Sequence, residues 1–421
     1  MFSKLSLTKE SITQYRKAIA LDDKNNDHYY SLAAVLRHAG ELVSAEENLD
    51  KAVELNPLDI DSHALKVDLR KQTHDHNSID SLTTLLNKNL APKDKVQVYF
   101  ALAKSYEDLA DPEKSFTNVE LGNNLRRKHL NYAIETDQQT MTKITQVFDQ
   151  TWLGKNTAAA TDNTEQTLTP IFVLGMPRTG STLTDRILTA SDEVFSGGEL
   201  SDFAQLLTAQ VNQLQAPSNQ QKPSFIEAAS QIDFKQLGQN YLSAVKARFS
   251  EVDLGGNIGF FTDKLPFNYL YLGLIKKALP NAIIIHITRH PMDTCYAIYK
   301  TLFQQAYPFS YDLKELGEYF IQYQKLMNHW SSLKNIDIHQ VNYEQLVSSP
   351  IPTGQALYQF CGLEWQDKFI KAKSHQGIVN TASASQVRQD IHQHSVQKWR
   401  QYEQQLAPLK TQLQQAGICC D

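Results

Sequence analysis

The stretch Val173-Leu174-Gly175-Met176-Pro177-Arg178-Thr179-Gly180-Ser181-Thr182 gathers two glycines, a cation and several hydroxyls. An apolar run, Ile171 to Leu174, leads into it, and Leu183, Ile187 and Leu188 follow at helical spacing. Strand, tight turn and helix in that order aim free backbone N–H groups and the positive helix end at one point, which suits a bound anion. Glycine lacks a Cβ, so at Gly175 and Gly180 the backbone can close around a phosphate. Ser181 and Thr182 add hydroxyl donors and Arg178 a fixed positive charge. The candidate phosphate-binding set is therefore Gly175, Pro177, Arg178, Thr179, Gly180, Ser181 and Thr182.

Glycine, four residues, glycine is the spacing of the nucleotide P-loop. Ser181 stands where a kinase or NTPase carries lysine. That lysine reaches the outer phosphates of a nucleotide triphosphate. Its replacement points to a ligand with a shorter phosphate chain. A bare glycine turn joining strand to helix would look the same in isolation. Two more cations, Lys264 in Thr262-Asp263-Lys264-Leu265-Pro266 and Arg289 in Thr288-Arg289-His290-Pro291-Met292-Asp293, extend the anion site. Each alone could equally be a surface charge. Glu199, just after Gly197-Gly198, offers a carboxylate for proton transfer or for the N-terminus of a following helix.

Positioning these groups requires a sheet. Ile171–Leu174, Ile258–Thr262, the almost continuous apolar run Ala282–Thr288 (interrupted by His286) and Ile336–Val341 read as strands. Helical patterns separate them, near Leu183–Ala190, Phe234–Phe249, Leu270–Leu279, Asp293 onward and Leu313–Leu333. Such alternation predicts a P-loop-type α/β fold with a doubly wound parallel sheet, in which ligands bind at the carboxyl ends of strands. Gly175, Lys264 and Arg289 all fall at such ends.

Residues 1–150 read differently. Glycine is rare there, and Lys17-Ala18-Ile19-Ala20-Leu21 returns as Lys51-Ala52-Val53-Glu54-Leu55, 34 positions later. Leu32-Ala33, Leu36, Gly40 and Ala45 mark helix, turn and helix, and Leu102-Ala103, Tyr106, Ala110 and Ser115 echo them at an offset of 70. The spacing resembles that of tetratricopeptide repeats. It predicts an all-α tetratricopeptide-like repeat domain at 1–150, with a degenerate middle unit between Asp61 and Leu90. The polar stretch 151–169 reads as linker, and 170–421 as the catalytic domain.

Composition narrows the function further. The 421 residues carry a formal net charge of −5 with 41% hydrophobic content, so no global basic field points to nucleic acid. Of Cys295, Cys361, Cys419 and Cys420, the first two show no metal-type spacing, and no disulfide framework is expected. No apolar run is long enough to span a bilayer, and Met1-Phe2-Ser3-Lys4 begins no apolar leader, so a cytoplasmic location is expected.

Four separated motifs, in order, resemble the sulfotransferase superfamily over roughly residues 168 to 410. Gly175–Thr182 looks like its 5′-phosphosulfate loop, and Arg289-His290-Pro291-Met292-Asp293-Thr294-Cys295 like its 3′-phosphate motif. Asp263-Lys264-Leu265-Pro266 matches the stretch carrying a catalytic lysine. Gly198-Glu199-Leu200 matches the stretch carrying a catalytic glutamate. Thr381–Arg388, with Ser383, and Gln397-Lys398-Trp399 look like the C-terminal segment that folds over the nucleotide. The whole is similar to bacterial proteins that join tetratricopeptide repeats to a catalytic half like that of tyrosylprotein sulfotransferases.

The resemblance implies the co-substrate 3′-phosphoadenosine 5′-phosphosulfate (PAPS) and no metal, which accounts for the missing lysine. It makes Glu199, Lys264 and Arg178 catalytic. It makes the loop residues, Arg289, Ser383 and Lys398 donor-binding. One position departs: Ala297 stands where the family's 3′-phosphate serine usually is, leaving Thr294, Tyr296 or Tyr299 to supply a hydroxyl. The implied partner is a hydroxyl-bearing acceptor, protein or peptide if the repeats recruit it, with Leu200–Leu214 and Tyr296–Tyr311 as its wall. A small-molecule kinase with an altered P-loop and a non-catalytic repeat adaptor are the alternatives.

Overall fold

The computed structural model describes residues 5–155, 168–215, 223–249, 258–303, 306–371 and 390–421. Ser383 and residues 156–167 of the polar segment 151–169 lie outside them.

Five parallel strands form one sheet in the order β2-β3-β1-β4-β5: β1 Thr169–Gly175, β2 Val194–Ser196, β3 Phe260–Asp263, β4 Ile283–Thr288 and β5 Ile338–Asn342. The fold is the α/β doubly wound sheet that the alternation predicts. β2, only three residues long, is not evident in the sequence. From β1 the chain goes to the edge strand β2, returns to insert β3 between them, then crosses to add β4 and β5 on the other side. The reversal therefore falls between β1 and β4, where such sheets open a crevice for ligands.

Period-two alternation sends β1 side chains to both faces. Phe172 and Leu174 enter the larger core, while Ile171 and Val173 join Ile285 and Ile287 in the smaller one. His286, the polar break in β4, faces inward and bonds the Tyr323 hydroxyl at 2.5 Å. Burial pushes its pKa down to about 4, so it packs as a neutral ring.

The N-terminal region is helical throughout, from Leu5–Leu21 to Gln150–Gly154. Helices Asn26–Ala39 and Leu42–Leu55 form a hairpin turned by Gly40 at φ 85. Pro92–Asp108 and Pro112–Lys128 form a second hairpin, and there the turning residue is Ala110 at φ 60. The middle unit survives as the shorter helices Ile60–Leu69 and Ile79–Leu86.

The larger core does not stop at residue 170. It takes in Phe116, Val119, Met141, Ile144, Phe148 and Trp152. The segment that reads as linker begins inside the helix Gln150–Gly154, with Trp152 and Leu153 buried. Trp152 Nε1 donates to the Ser230 carbonyl at 3.1 Å, and Lys277 Nζ donates to the Trp152 carbonyl at 2.7 Å. Among the described residues no helix is long and apolar enough to cross a membrane.

Candidate active site at the carboxyl ends of the strands

β1 ends in the loop 175–180, and the helix Ser181–Leu188 starts immediately after it. Gly175 has φ +145, and a Cβ there would meet the Ile287 carbonyl oxygen at 2.5 Å. Gly180 has φ +103 and sits against the Tyr343 ring, 2.6 Å from where a Cβ would be. Both glycines are thus required by backbone conformation and by close approach. Arg178 adopts φ 64, a left-handed conformation that side chains rarely take. Thr179 Oγ1 donates to the Met176 carbonyl at 2.7 Å, so its hydroxyl braces the loop.

One cleft runs from this loop to the end of β4. Arg178, Gly180, Ser181, Thr182, Arg289 and Lys398 all line it. Gly175, Pro177 and Thr179 shape the loop from behind and are not part of the lining. Arg289 is fixed by two backbone oxygens: Nη1 donates to the Arg178 carbonyl at 2.9 Å and Nη2 to the Ser395 carbonyl at 2.5 Å. Its guanidinium lies over the Tyr343 ring, 4.8 Å from the centroid. Burial, with Arg289 nearby, lowers the Arg178 pKa to about 10, still well above neutrality.

The C-terminal segment returns to this cleft. Asp390, His392, Ser395 and Lys398 line it. Asp293 anchors the segment: its carboxylate accepts from the backbone N–H of Gln397 at 2.6 Å and of Trp399 at 3.0 Å. His290 stacks on Trp399 with centroids 5.7 Å apart. The Arg289–Asp293 motif therefore holds the closing segment as well as presenting a cation.

Glu199 and Lys264 lie outside that lining, beyond the ends of β2 and β3. The Gly197 N–H donates to the Thr262 carbonyl at 2.9 Å and the Lys264 N–H to the Gly198 carbonyl at 2.8 Å. That pairing brings the two side chains together, with Lys264 Nζ 2.5 Å from Glu199 Oε1. Lys264 is 3% exposed and Glu199 45%, so the ammonium is buried and the carboxylate reaches solvent. Beneath them, Asp263 accepts from the Tyr241 hydroxyl at 2.7 Å and from Asn268 Nδ2 at 3.1 Å. Burial outweighs these bonds and raises its pKa to about 7.

Several residues here escape the sequence motifs. Arg186, one turn into the helix after the loop, lines the cleft, and burial lowers its pKa against the opposing charge of Asp390. Lys300 lines it at the end of the helix Pro291–Tyr299. Tyr296, expected either on an acceptor wall or as a hydroxyl for the 3′-phosphate, lines this cleft beside Ala297. The helix periodicity could have put Arg186 with Thr182, but no local pattern marks Lys300.

Residues 170–367 match the sulfotransferase family. An uncharacterized protein of Aquifex aeolicus (strain VF5) is 31% identical over 391 residues, which is 91% of this chain and 50% of that protein. The chain thus spans about half the length of that curated relative. Among solved structures, the sulfotransferase domain of the Synechococcus PCC 7002 olefin synthase is 18% identical, with a TM-score of 0.38 over 55% of this chain and 88% of that one. The sulfotransferase domain from the curacin biosynthetic pathway is 15% identical, with a TM-score of 0.36 over 60% of this chain and 99% of that one. Likenesses this distant carry no argument about substrate. The match of 170–367 identifies this part of the chain as a sulfotransferase-family domain, of a family of PAPS-dependent transferases.

Proposed function

We propose that the chain is a sulfotransferase that moves a sulfuryl group from PAPS to a hydroxyl acceptor, with Glu199 as general base and Lys264 as charge stabiliser. The observation that carries this reading is the 2.5 Å contact between Lys264 Nζ and Glu199 Oε1 beside a cation-lined phosphate loop. The acceptor oxygen forms a bond to sulfur as the bond from sulfur to the donor's phosphate oxygen breaks. The acceptor proton passes to the Glu199 carboxylate. Negative charge grows on the leaving phosphate oxygen, where Lys264 and Arg178 offset it. Ser181, Thr182 and Arg289 are read as donor contacts, and Lys398 as a contact from the closing segment. Ser383 keeps only its sequence-based assignment.

The helical region is read as tetratricopeptide-like and as the recruiter of the acceptor, a protein or peptide. Support comes from the 34-residue recurrence and from two helical hairpins turning at equivalent positions, Gly40 and Ala110.

Single-turnover rates at saturating donor across pH test the chemistry. Glu199→Gln should slow turnover by about 10²–10⁴ with donor binding nearly unchanged. Lys264→Ala should slow it through lost charge stabilisation, with a modest loss of donor affinity. If Glu199→Gln keeps the wild-type rate and pH profile, the carboxylate is not the base. Calorimetric titration separates this reading from a kinase: ATP binding that is Mg²⁺-dependent and as tight as that of adenosine 3′,5′-bisphosphate would overturn it.

A further inference from the structure

Ala297 stands where a 3′-phosphate serine is expected, and the same end of the cleft holds two lysines. Lys300 Nζ lies 2.7 and 2.9 Å from the two oxygens of Glu107, and Lys398 Nζ also contacts Glu107 Oε1. Glu107 belongs to the helix Pro92–Asp108 of the N-terminal region, 193 positions from Lys300. Its side chain is 14% exposed. Burial alone would raise its pKa, but Lys300 and Lys398 outweigh that and hold the carboxyl below its ordinary range.

We propose that Lys300 and Lys398 form a second anion subsite of the donor cleft, and that Glu107 is the positioning counter-ion through which the helical region controls it. This rests on the donor reading above. Two ammonium groups confined together repel, and burial favours losing a proton from one of them. A shared carboxylate keeps both charged and aimed, and the cluster still carries one net positive charge for a phosphate. The groups facing Lys300 are Glu107, which favours its charge, Lys398 and Arg178, which oppose it, and the Tyr296 ring, 5.1 Å away. Burial is the largest influence and brings Lys300 down to about 8, within reach of ordinary assay pH.

The test uses the full chain and two probes, adenosine 3′,5′-bisphosphate and adenosine 5′-monophosphate, titrated calorimetrically from pH 6.5 to 9. Their affinity ratio reports the 3′-phosphate alone. Wild type should prefer the bisphosphate by roughly tenfold to a hundredfold, the range of charge-assisted hydrogen bonds. Lys300→Met should remove most of that preference without changing monophosphate affinity, and Lys300→Arg should restore part of it. Glu107→Gln should move the pH at which the preference fades below the wild-type value, since Lys300 then loses its stabilising partner. Lys398→Met, at a less buried position, should also reduce the preference and guards against misfolding of the Lys300 variant. A wild-type preference that survives both lysine variants, or a Glu107→Gln profile that does not move, overturns this subsite alone. A wild type with no preference overturns the donor reading and the subsite together.

Discussion

The helical region behaves as two parts. Helices from Leu5 to Leu86 bury their apolar faces against one another and against the helix Pro92–Asp108, in small clusters around Leu32, Leu36 and Leu49 and around Leu82, Val98 and Leu102. Helices from Pro112 to Gly154 place Phe116, Met141, Ile144, Phe148 and Trp152 in the same core as the sheet. Polar contacts follow the same division. Asn123 Nδ2 donates to the Tyr299 carbonyl at 2.9 Å, Arg127 pairs with Glu315 at 2.7 Å, and Glu107 reaches Lys300. Both parts are helical. What differs is the partner of the buried face, and this decides which helices can be lost.

Deletion gives the largest expected effect. A chain starting near residue 88 exposes Val98 and Leu102 but keeps every buried residue of the main core, and should unfold cooperatively and keep bisphosphate binding. One starting near residue 168 exposes the face of the main core that Phe116, Phe148 and Trp152 cover, and should not fold. Calorimetry and nucleotide titration of both check this; a folded, binding 168–421 fragment would break the distinction.

Single core truncations should divide along the same line. Trp152→Ala should lower the stability of the sheet-containing unit by about 3–5 kcal/mol, the usual cost for a buried tryptophan. Leu49→Ala should cost about 2–5 kcal/mol within the outer helices alone, leaving donor affinity unchanged. Hydrogen exchange resolved along the chain would show whether each loss is confined as expected.

The smallest effect compares the two hairpin turns. Gly40 and Ala110 occupy equivalent positions at φ 85 and 60. Alanine is strained there and glycine is not, so Ala110→Gly should stabilise the inner hairpin by about 1 kcal/mol and Gly40→Ala should destabilise the outer one similarly. Denaturant titration of both variants would sharpen the comparison, and equal signs would sink it.

Much of this was legible because the signals are local. Gly175 and Gly180 mark the loop through the backbone conformation that they alone tolerate. The apolar run before Arg289 marks a strand buried on both faces, and Gly40 marks its hairpin. Other features left no comparable trace. β2 is too short to show alternation, and Pro266–Tyr271 is a 3-10 turn ahead of a shorter helix than the apolar pattern implies. Trp152 sits at the start of a polar stretch, and its burial depends on Ser230, Phe234 and Lys277 arriving from elsewhere.

The sequence by itself determined the strand–loop–helix turn at Gly175–Thr182, the parallel alternation that carries Lys264 and Arg289 to strand ends, and the 34-residue recurrence. Each depends on φ preference, side-chain period or turn chemistry within a few residues. The tertiary structure alone decided where the helical region merges with the sheet, that Asp293 holds the C-terminal segment, and that Glu107 meets Lys300 and Lys398. These are encounters between segments over a hundred positions apart. A buried charge carries no periodic signature, and its partner is chosen by which surfaces pack together.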